Sequence, residues 1–169
     1  MGKYSNLFFV DCEAEGRSPL RGKLTEFAVI HYESGTSYHG RIYESRPDPS
    51  NPAKPIAGER ISPDIYIAIE LSKFIFSCVH NKRAVMVSDN PAYDFMWIAA
   101  LFDKVNVDNP FGHSARRISD FYAGLTRDFS NTQDWKKLRQ TPHDHNPLND
   151  AMGNVEAFRS FTSEILKEG

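Results

Sequence analysis

The sequence predicts one α/β domain, and two patterns and the size of the chain lead to this prediction. Strand-forming segments occupy residues 6 to 13, 24 to 32 and 38 to 43, and turn residues separate them. From residue 83 onward, strand-like and helix-like segments alternate, which is typical of a sheet whose later strands run parallel. A length of 169 residues with 40% hydrophobic residues suits a single domain, residues 1 to 169, with a substantial core.

The first half of the chain predicts an antiparallel meander, a loop and a helix. The three early strands lie close enough in sequence to pair as a meander. The loop at residues 45 to 61 holds four of the ten prolines and is long for a compact domain, so a functional role and a passive connection both stay open. Ser62-Pro63-Asp64 supplies an N-cap, a first-turn proline and an acid that suits the helix dipole, and helical spacing continues to His80.

In the second half, helices surround two short strands. Residues 83 to 88 predict a strand, and a fifth strand is expected within residues 112 to 118. Helices are expected from Asn90-Pro91 to about Lys104, over residues 118 to 127, more weakly over 132 to 139, and from Asn146-Pro147 onward. The last helix places on one face Leu148, Ala151, Val155, Phe158, Thr162 and Ile165.

Composition and charge exclude several classes of protein. A formal net charge of −2 argues against a cationic nucleic-acid coat, so nucleic-acid binding should be local, with few phosphate contacts and a shallow salt dependence. Two cysteines give neither a disulfide framework nor a cysteine-based zinc site, and Cys12 is expected to pack as a small hydrophobic residue. The N-terminal apolar run is too short for a signal peptide, and no stretch approaches the roughly 20 apolar residues of a membrane span. The expected compartment is the cytoplasm.

Two carboxylates on the first strand are the first candidates for chemistry. Asp11 and Glu13 alternate, so both project from one face of the strand. Like charges held that close destabilise each other unless a cation neutralises them, which makes a metal site plausible. The alternative is a strand that leaves the core and releases its acids into solvent.

Two further aspartates lie in similar surroundings. Asp94 ends the segment Asn90-Pro-Ala-Tyr-Asp94 and Asp150 ends Asn146-Pro-Leu-Asn-Asp150, so each lies in the first turn of a helix. Acids there can simply stabilise the helix through its dipole. However, Asp94 shares its face with large apolar residues, and Asp150 shares its face with small ones, which favours inward-pointing carboxylates that need a partner. The residues on these faces are Trp97, Ile98 and Leu101 beside Asp94, and Gly153, Asn154 and Ala157 beside Asp150.

A histidine precedes the last helix. His145 lies five residues before Asp150 in a polar loop, where it could act as a general base near neutral pH or be an ordinary exposed histidine. We assign no role to His143 or His80. A zinc site made from His143 and His145 is conceivable, but the spacing is not distinctive.

Taken together, these residues resemble the DEDDh 3′–5′ exonucleases, a superfamily that includes RNase T, oligoribonuclease and the proofreading subunit of DNA polymerase. The matching segments are Phe9-Val-Asp-Cys-Glu13, Asn90-Pro-Ala-Tyr-Asp94 and His145-Asn-Pro-Leu-Asn-Asp150. They occur in the family's order, and the resemblance spans residues 9 to 158. The Asn-Pro-rich second and third motifs and the short length are most similar to the small exoribonuclease branch that includes RNase AS. One departure is Ala14 after Glu13, where many relatives have Thr or Ser.

The resemblance implies the RNase H-like fold, a mixed sheet of three antiparallel and then two parallel strands flanked by helices. It also implies two Mg²⁺ ions, which Mn²⁺ could replace. Asp11 would bridge both ions, and Glu13 and Asp150 would complete the site of the ion that activates water. Asp94 would hold the second ion through waters, and His145 would take the proton from the attacking water. In-line cleavage of a phosphodiester benefits from two such ions because they stabilise both the attacking and the leaving oxygen.

The expected activity is hydrolysis of single-stranded RNA from its 3′ end, with release of nucleoside 5′-monophosphates. The alternatives are a 3′–5′ exodeoxyribonuclease and a non-catalytic nucleic-acid- or protein-binding module. The terminal nucleotide is expected near Ala14, Arg17 and Leu24. Lys136, Lys137 and Arg139 could meet the upstream backbone, although a solvated helix face is the favoured interpretation of that run. No membrane partner is expected, and the resemblance includes homodimers among the expected assemblies.

Overall fold

A mixed sheet forms the centre of the computed structural model, which describes residues 4 to 42, 63 to 79 and 82 to 168. Within these residues the sheet has five strands in the order β3-β2-β1-β4-β5. The strands are β1 (Leu7–Glu15), β2 (Lys23–His31), β3 (Ser37–Arg41), β4 (Val85–Ser88) and β5 (Ala115–Arg117). β1 pairs antiparallel with β2 and parallel with β4, so the central strand joins the antiparallel part of the sheet to the parallel part.

The helices lie near their predicted positions. They are α1 (Pro63–Cys78), α2 (Pro91–Lys104), α3 (Ile118–Thr126) and α4 (Pro147–Glu168). The weak helix predicted over residues 132 to 139 is instead a short 3-10 helix, Asp134–Leu138, in which Trp135 is fully buried. The predicted loop at residues 45 to 61, the predicted cap at Ser62 and the predicted helix end at His80 lie outside the described residues.

The strand period sorts the side chains of β1 between two layers. Phe8, Val10 and Cys12 join the core on the side of α1 and α2. Phe9 joins the second core, which contains Ala151, Val155 and Phe158 of α4. Asp11 and Glu13 follow Phe9 at alternate positions, so they lie on the α4 side of the sheet. Cys12 is a buried free thiol, as expected from the sequence.

The pairing of β1 with β2 changes register where the acids end. Glu13 lies opposite Glu26, whereas Ala14 lies opposite Leu24, so one residue of β2 is left over at this point. Such a bulge bends the strand and is often found beside a functional site. Among the described residues, no helix is both long and apolar enough to cross a membrane.

Candidate active site

Three of the predicted acids converge at one end of β1. Asp11 and Glu13 come from β1, and Asp150 comes from the first turn of α4, which packs on that face of the sheet. One carboxylate oxygen from each residue lies within 4.8 Å of the other two. Oxygen donors in such a set suit Mg²⁺ or Mn²⁺. We call Asp11, Glu13 and Asp150 the carboxylate triad.

Asp150 has one oxygen that the protein leaves without a hydrogen bond. The residue is only 2% exposed, and its Oδ1 accepts a hydrogen bond of 3.2 Å from the backbone N–H of Asp144. Its buried Oδ2 has no hydrogen-bond partner of acceptable geometry among the described residues, although His143 Nδ1 lies 2.7 Å away. A buried carboxylate oxygen of this kind needs a cation or a proton. This observation supports a divalent ion at the triad.

Asp94 lies near the triad but is not part of it. The residue is buried in the first turn of α2, and its Oδ1 accepts a 3.1 Å hydrogen bond from the backbone N–H of Cys12. Its Oδ2 accepts a hydrogen bond from the Ser88 hydroxyl at the end of β4. Both oxygens are therefore engaged by neighbouring strands. This arrangement fits the expectation that Asp94 acts on an ion through waters and not by close contact.

Burial and neighbouring charges make Asp11 and Asp94 difficult to ionise. Burial, followed by repulsion from Asp94, Asp150 and Glu13, raises the pKa of Asp11 to about 8, although the charge of Arg139 opposes this. Burial also raises the pKa of Asp94 to about 7, against the lowering effect of its hydrogen bonds from Ser88 and Cys12. Strong mutual repulsion of this kind is relieved when a multivalent cation binds. The residues present therefore fit a divalent metal ion.

His145 lies at the rim of this cluster. Its side chain is 78% exposed, and Nδ1 lies 3.6 Å from Glu13 Oε1. Its backbone has a φ of 60°, which is uncommon for a residue with a side chain. The structure thus places the predicted base next to the triad, on a surface loop from which it can still move.

Sequence reasoning assigned no role to His143, yet its ring lies against the site. Besides its approach to Asp150, its ring centroid lies 4.7 Å from that of His145. The two histidines are separated by one residue in a polar loop, and that spacing was the only local signal available.

Arg139 corrects another prediction. The run with Lys136 and Lys137 was interpreted as a solvated helix face, but the Arg139 side chain is only 11% exposed. Its guanidinium donates a 2.5 Å hydrogen bond to Asn154 Oδ1 on α4 and lies 4.9 Å from the ring centroid of Trp135. Lys137 is exposed as expected. Arg139 is therefore a largely buried cation whose charge lowers the pKa of Asp11.

The residues proposed for the terminal nucleotide divide into two groups. The side chain of Leu24 is buried in the core on the α1 and α2 side, which leaves its backbone, and not its side chain, for the predicted contact. Ala14 is half-buried, and Arg17 is exposed on the loop that joins β1 to β2. That loop returns tightly to its start, since a Cβ on Gly22 would lie 1.9 Å from the carbonyl oxygen of Glu15.

Comparison with solved structures identifies the same fold in known nucleases. The nuclease domain of 3′hExo, a DEDDh family member bound to rAMP, has a TM-score of 0.60 at 12% identity, over 99% of this chain and 94% of that one. The zinc-bound complex of E. coli ExoI with ssDNA has a TM-score of 0.57 at 14% identity, over 96% of this chain and 40% of that one. E. coli exonuclease I in complex with a 5cy-dT13 oligonucleotide has a TM-score of 0.58 at 12% identity, over 96% of this chain and 42% of that one. The chain thus spans about two fifths of exonuclease I.

No protein-family model matches the sequence, and no curated protein matches it. The likeness to these solved structures shows the fold. The predicted mixed sheet, with three antiparallel strands followed by two parallel ones and helices on its flanks, is confirmed. The chain therefore has the RNase H-like fold of DEDDh-family nuclease domains.

Proposed function

We propose that this chain is a metal-dependent 3′–5′ exonuclease that shortens single-stranded nucleic acid and releases nucleoside 5′-monophosphates. The observation that carries the proposal is the convergence of Asp11, Glu13 and Asp150 within 4.8 Å, at the end of the central strand of a nuclease fold. Asp94 and His145 complete the expected set of five residues beside this triad. A binding module that had lost catalysis would have no need to keep all five.

The acids would hold the metal ions. Two divalent ions, when bound, would stabilise the charge that develops on the attacking and leaving oxygens of the phosphodiester. Asp11, Glu13 and Asp150 offer the close ligands, and Asp94, fixed by Cys12 and Ser88, would act through water. Mg²⁺ is the proposed ion and Mn²⁺ a substitute, since both favour oxygen donors.

His145 would accept the proton of the attacking water. Its imidazole is suited to this task near neutral pH. The ring is exposed and lies 3.6 Å from Glu13, so it must settle over the triad when substrate is present. Loops that carry catalytic groups often close in this way on binding. The proton would leave through the open side of the loop.

RNA is the proposed substrate. Support comes from the 3′hExo domain, which was determined with rAMP and matches this chain over nearly all of both lengths. The Asn-Pro-rich motifs also favour the RNase AS branch. DNA is the second candidate because exonuclease I, which shares the fold, was determined with single-stranded DNA. We further propose that the enzyme acts in the cytoplasm, alone or as a homodimer.

The test is a time course on two 5′-labelled single strands of matched sequence, one RNA and one DNA, with Mg²⁺, Mn²⁺ or EDTA. We expect a metal-dependent ladder that shortens from the 3′ end, with RNA degraded faster. Asp150→Ala should abolish shortening, whereas Asp108→Ala, which removes an exposed acid outside the site, should retain it. No shortening of either strand by a folded protein would overturn the proposed activity, and faster loss of DNA would overturn the preference for RNA.

A further inference from the structure

A second set of possible metal ligands overlaps the carboxylate triad. His143, His145 and Asp150 each offer one ligand atom, and these atoms lie within 4.8 Å of one another. Their chemistry differs from that of the triad, since two imidazole nitrogens join one carboxylate oxygen. Such a donor set is typical of Zn²⁺ and other borderline transition ions, whereas Mg²⁺ prefers oxygen alone.

Asp150 points a buried, unsatisfied oxygen at this set. Its Oδ2 lacks a hydrogen-bond partner among the described residues, and His143 Nδ1 lies 2.7 Å from it. The other oxygen is held by the backbone N–H of Asp144, within the same loop. One ligand of the set is therefore fixed by burial on α4, and its Oδ2 lies beside His143 Nδ1, where one cation could be shared by the two atoms.

The two histidines have the freedom to complete the site. Their side chains are 52% and 78% exposed, so both rings can turn without disturbing the core. The backbone of His145 is left-handed, with φ of 60°, and the centroids of the two rings are already 4.7 Å apart. Ligand atoms at about 2.0 to 2.2 Å from a tetrahedral zinc ion lie roughly 3.4 Å from each other. His143 Nδ1 and Asp150 Oδ2, now 2.7 Å apart, would therefore separate slightly to admit the ion, which the exposed ring of His143 allows.

We propose that His143, His145 and Asp150 bind one Zn²⁺ ion, and that this ion inhibits the nuclease. The inhibition rests on the proposed function, since the zinc set shares His145 and Asp150 with the five proposed catalytic residues. With zinc bound, Asp150 is no longer free for the catalytic ions and His145 can no longer accept a proton. His143 belongs to the zinc site alone. The protein would then be active in Mg²⁺ and arrested by a transition ion.

Zinc binding is tested first, without reference to activity. Isothermal titration with ZnCl₂, and the visible absorption of Co²⁺ as a substitute, would be recorded for the metal-free chain. We expect His143→Ala to weaken zinc binding at least about tenfold, and the matched exposed-residue variant His113→Ala to leave it unchanged. Glu13→Gln should weaken Mn²⁺ binding and spare zinc, because Glu13 belongs to the triad only.

Zinc affinity that is equal in His143→Ala and the unaltered chain would overturn the proposal, since the ion would then occupy the triad. A parallel loss of zinc binding in Glu13→Gln would overturn the proposal for the same reason.

The inhibitory part of the proposal is tested by the activity in Mg²⁺ plus Zn²⁺, divided by each variant's own activity in Mg²⁺ alone. His143→Ala should restore this ratio toward one. A chain that binds zinc through His143 but degrades no nucleic acid would overturn the proposed function and the inhibition, and would confirm the zinc site.

Discussion

Asp11 has an unusual balance between its charged and neutral forms. Burial and the three neighbouring acids raise its pKa from 3.8 to about 8. Between these two pH values, the unfolded chain releases a proton that the folded, metal-free chain keeps. The contribution of Asp11 to stability is therefore most favourable below about pH 4 and is lost progressively as the pH rises toward 8. Metal binding should reverse this loss, because the ion replaces the proton.

Asp11→Asn tests this balance directly. An amide does not ionise, so the variant avoids the loss of stability that Asp11 causes as the pH rises. In EDTA, we expect the free energy of unfolding of Asp11→Asn, relative to the unaltered chain, to increase by at least about 1 kcal/mol between pH 5 and pH 8. Urea denaturation at several pH values measures this difference. A difference in the free energy of unfolding that stays constant with pH would show that Asp11 ionises normally. The variant should also lose the stabilisation that Mg²⁺ gives to the unaltered chain.

The residues of the site differ in how far the sequence could reveal them. Asp11 and Glu13 were predicted to share a face because the two-residue period of a strand is a local property. Ser88 and Arg139 were not assigned to the site, since their roles depend on contacts that only the folded chain creates. Ser88 reaches Asp94 from the next strand, and Arg139 is buried between Trp135 and Asn154. A basic run gives no local sign that one of its members turns inward.

At the scale of elements, helix α4 holds the segment that leads to the histidine loop. The backbone N–H groups of Gln140 and Thr141 donate to Glu156 Oε2 over 2.9 and 2.7 Å, and Arg139 donates to Asn154. Gly153 makes this approach possible because its missing side chain leaves space for the segment. The 3-10 helix before it was predicted as an ordinary helix, since its sequence favours helix while burial of Trp135 fixes a tighter, shorter turn.

Gly153→Ala tests this attachment. A Cβ there would lie 2.9 Å from the carbonyl oxygen of Thr141 and 3.2 Å from Arg139 Cδ, so the segment must move away from α4. We expect the free energy of unfolding to fall by about 1 to 3 kcal/mol, with a loss of nuclease activity as His145 is displaced.

Gly124→Ala is the matched control, because a Cβ in that helix meets nothing within 4 Å. It should raise the free energy of unfolding by about 0.5 to 1 kcal/mol and leave activity intact. Urea denaturation and the labelled-strand assay measure both variants. Equal changes in the free energy of unfolding and in activity in the two variants would show that the segment does not depend on close contact with α4.

At the scale of the whole molecule, charge limits how nucleic acid can be held. The chain has 20 basic and 22 acidic side chains, for a formal net charge of −2. Near the site, Lys136 already pairs with Asp89 at 2.6 Å, and Arg139 is buried. Long-range attraction of a polyanion is therefore weak. Binding must depend on the metal ions and on a few local contacts at the 3′ end.

We expect a shallow salt dependence. With roughly two to three phosphates contacted, the slope of log affinity against log salt for a single strand should be no steeper than about −2. Fluorescence anisotropy of a labelled RNA strand, with the His145→Ala variant at fixed Mg²⁺ and about 50 to 200 mM KCl, measures this slope. A slope near −5 would indicate a long basic track and would contradict the local mode of binding. Uncharged substitution of Lys136 should change the slope by less than one.

The four acids at the site come from β1, α2 and α4, so they are far apart along the chain although they are close in space. During synthesis, a growing polypeptide contains Asp11 early, but no complete set exists until residue 150 has been added and its helix has packed on the sheet. Under the proposed function, the chain would therefore lack activity until the segment that carries Asp150 has been made. A form in which α4 has not packed on the sheet would lack Asp150 at the triad, and under the proposed function it would neither hold metal there nor cleave nucleic acid.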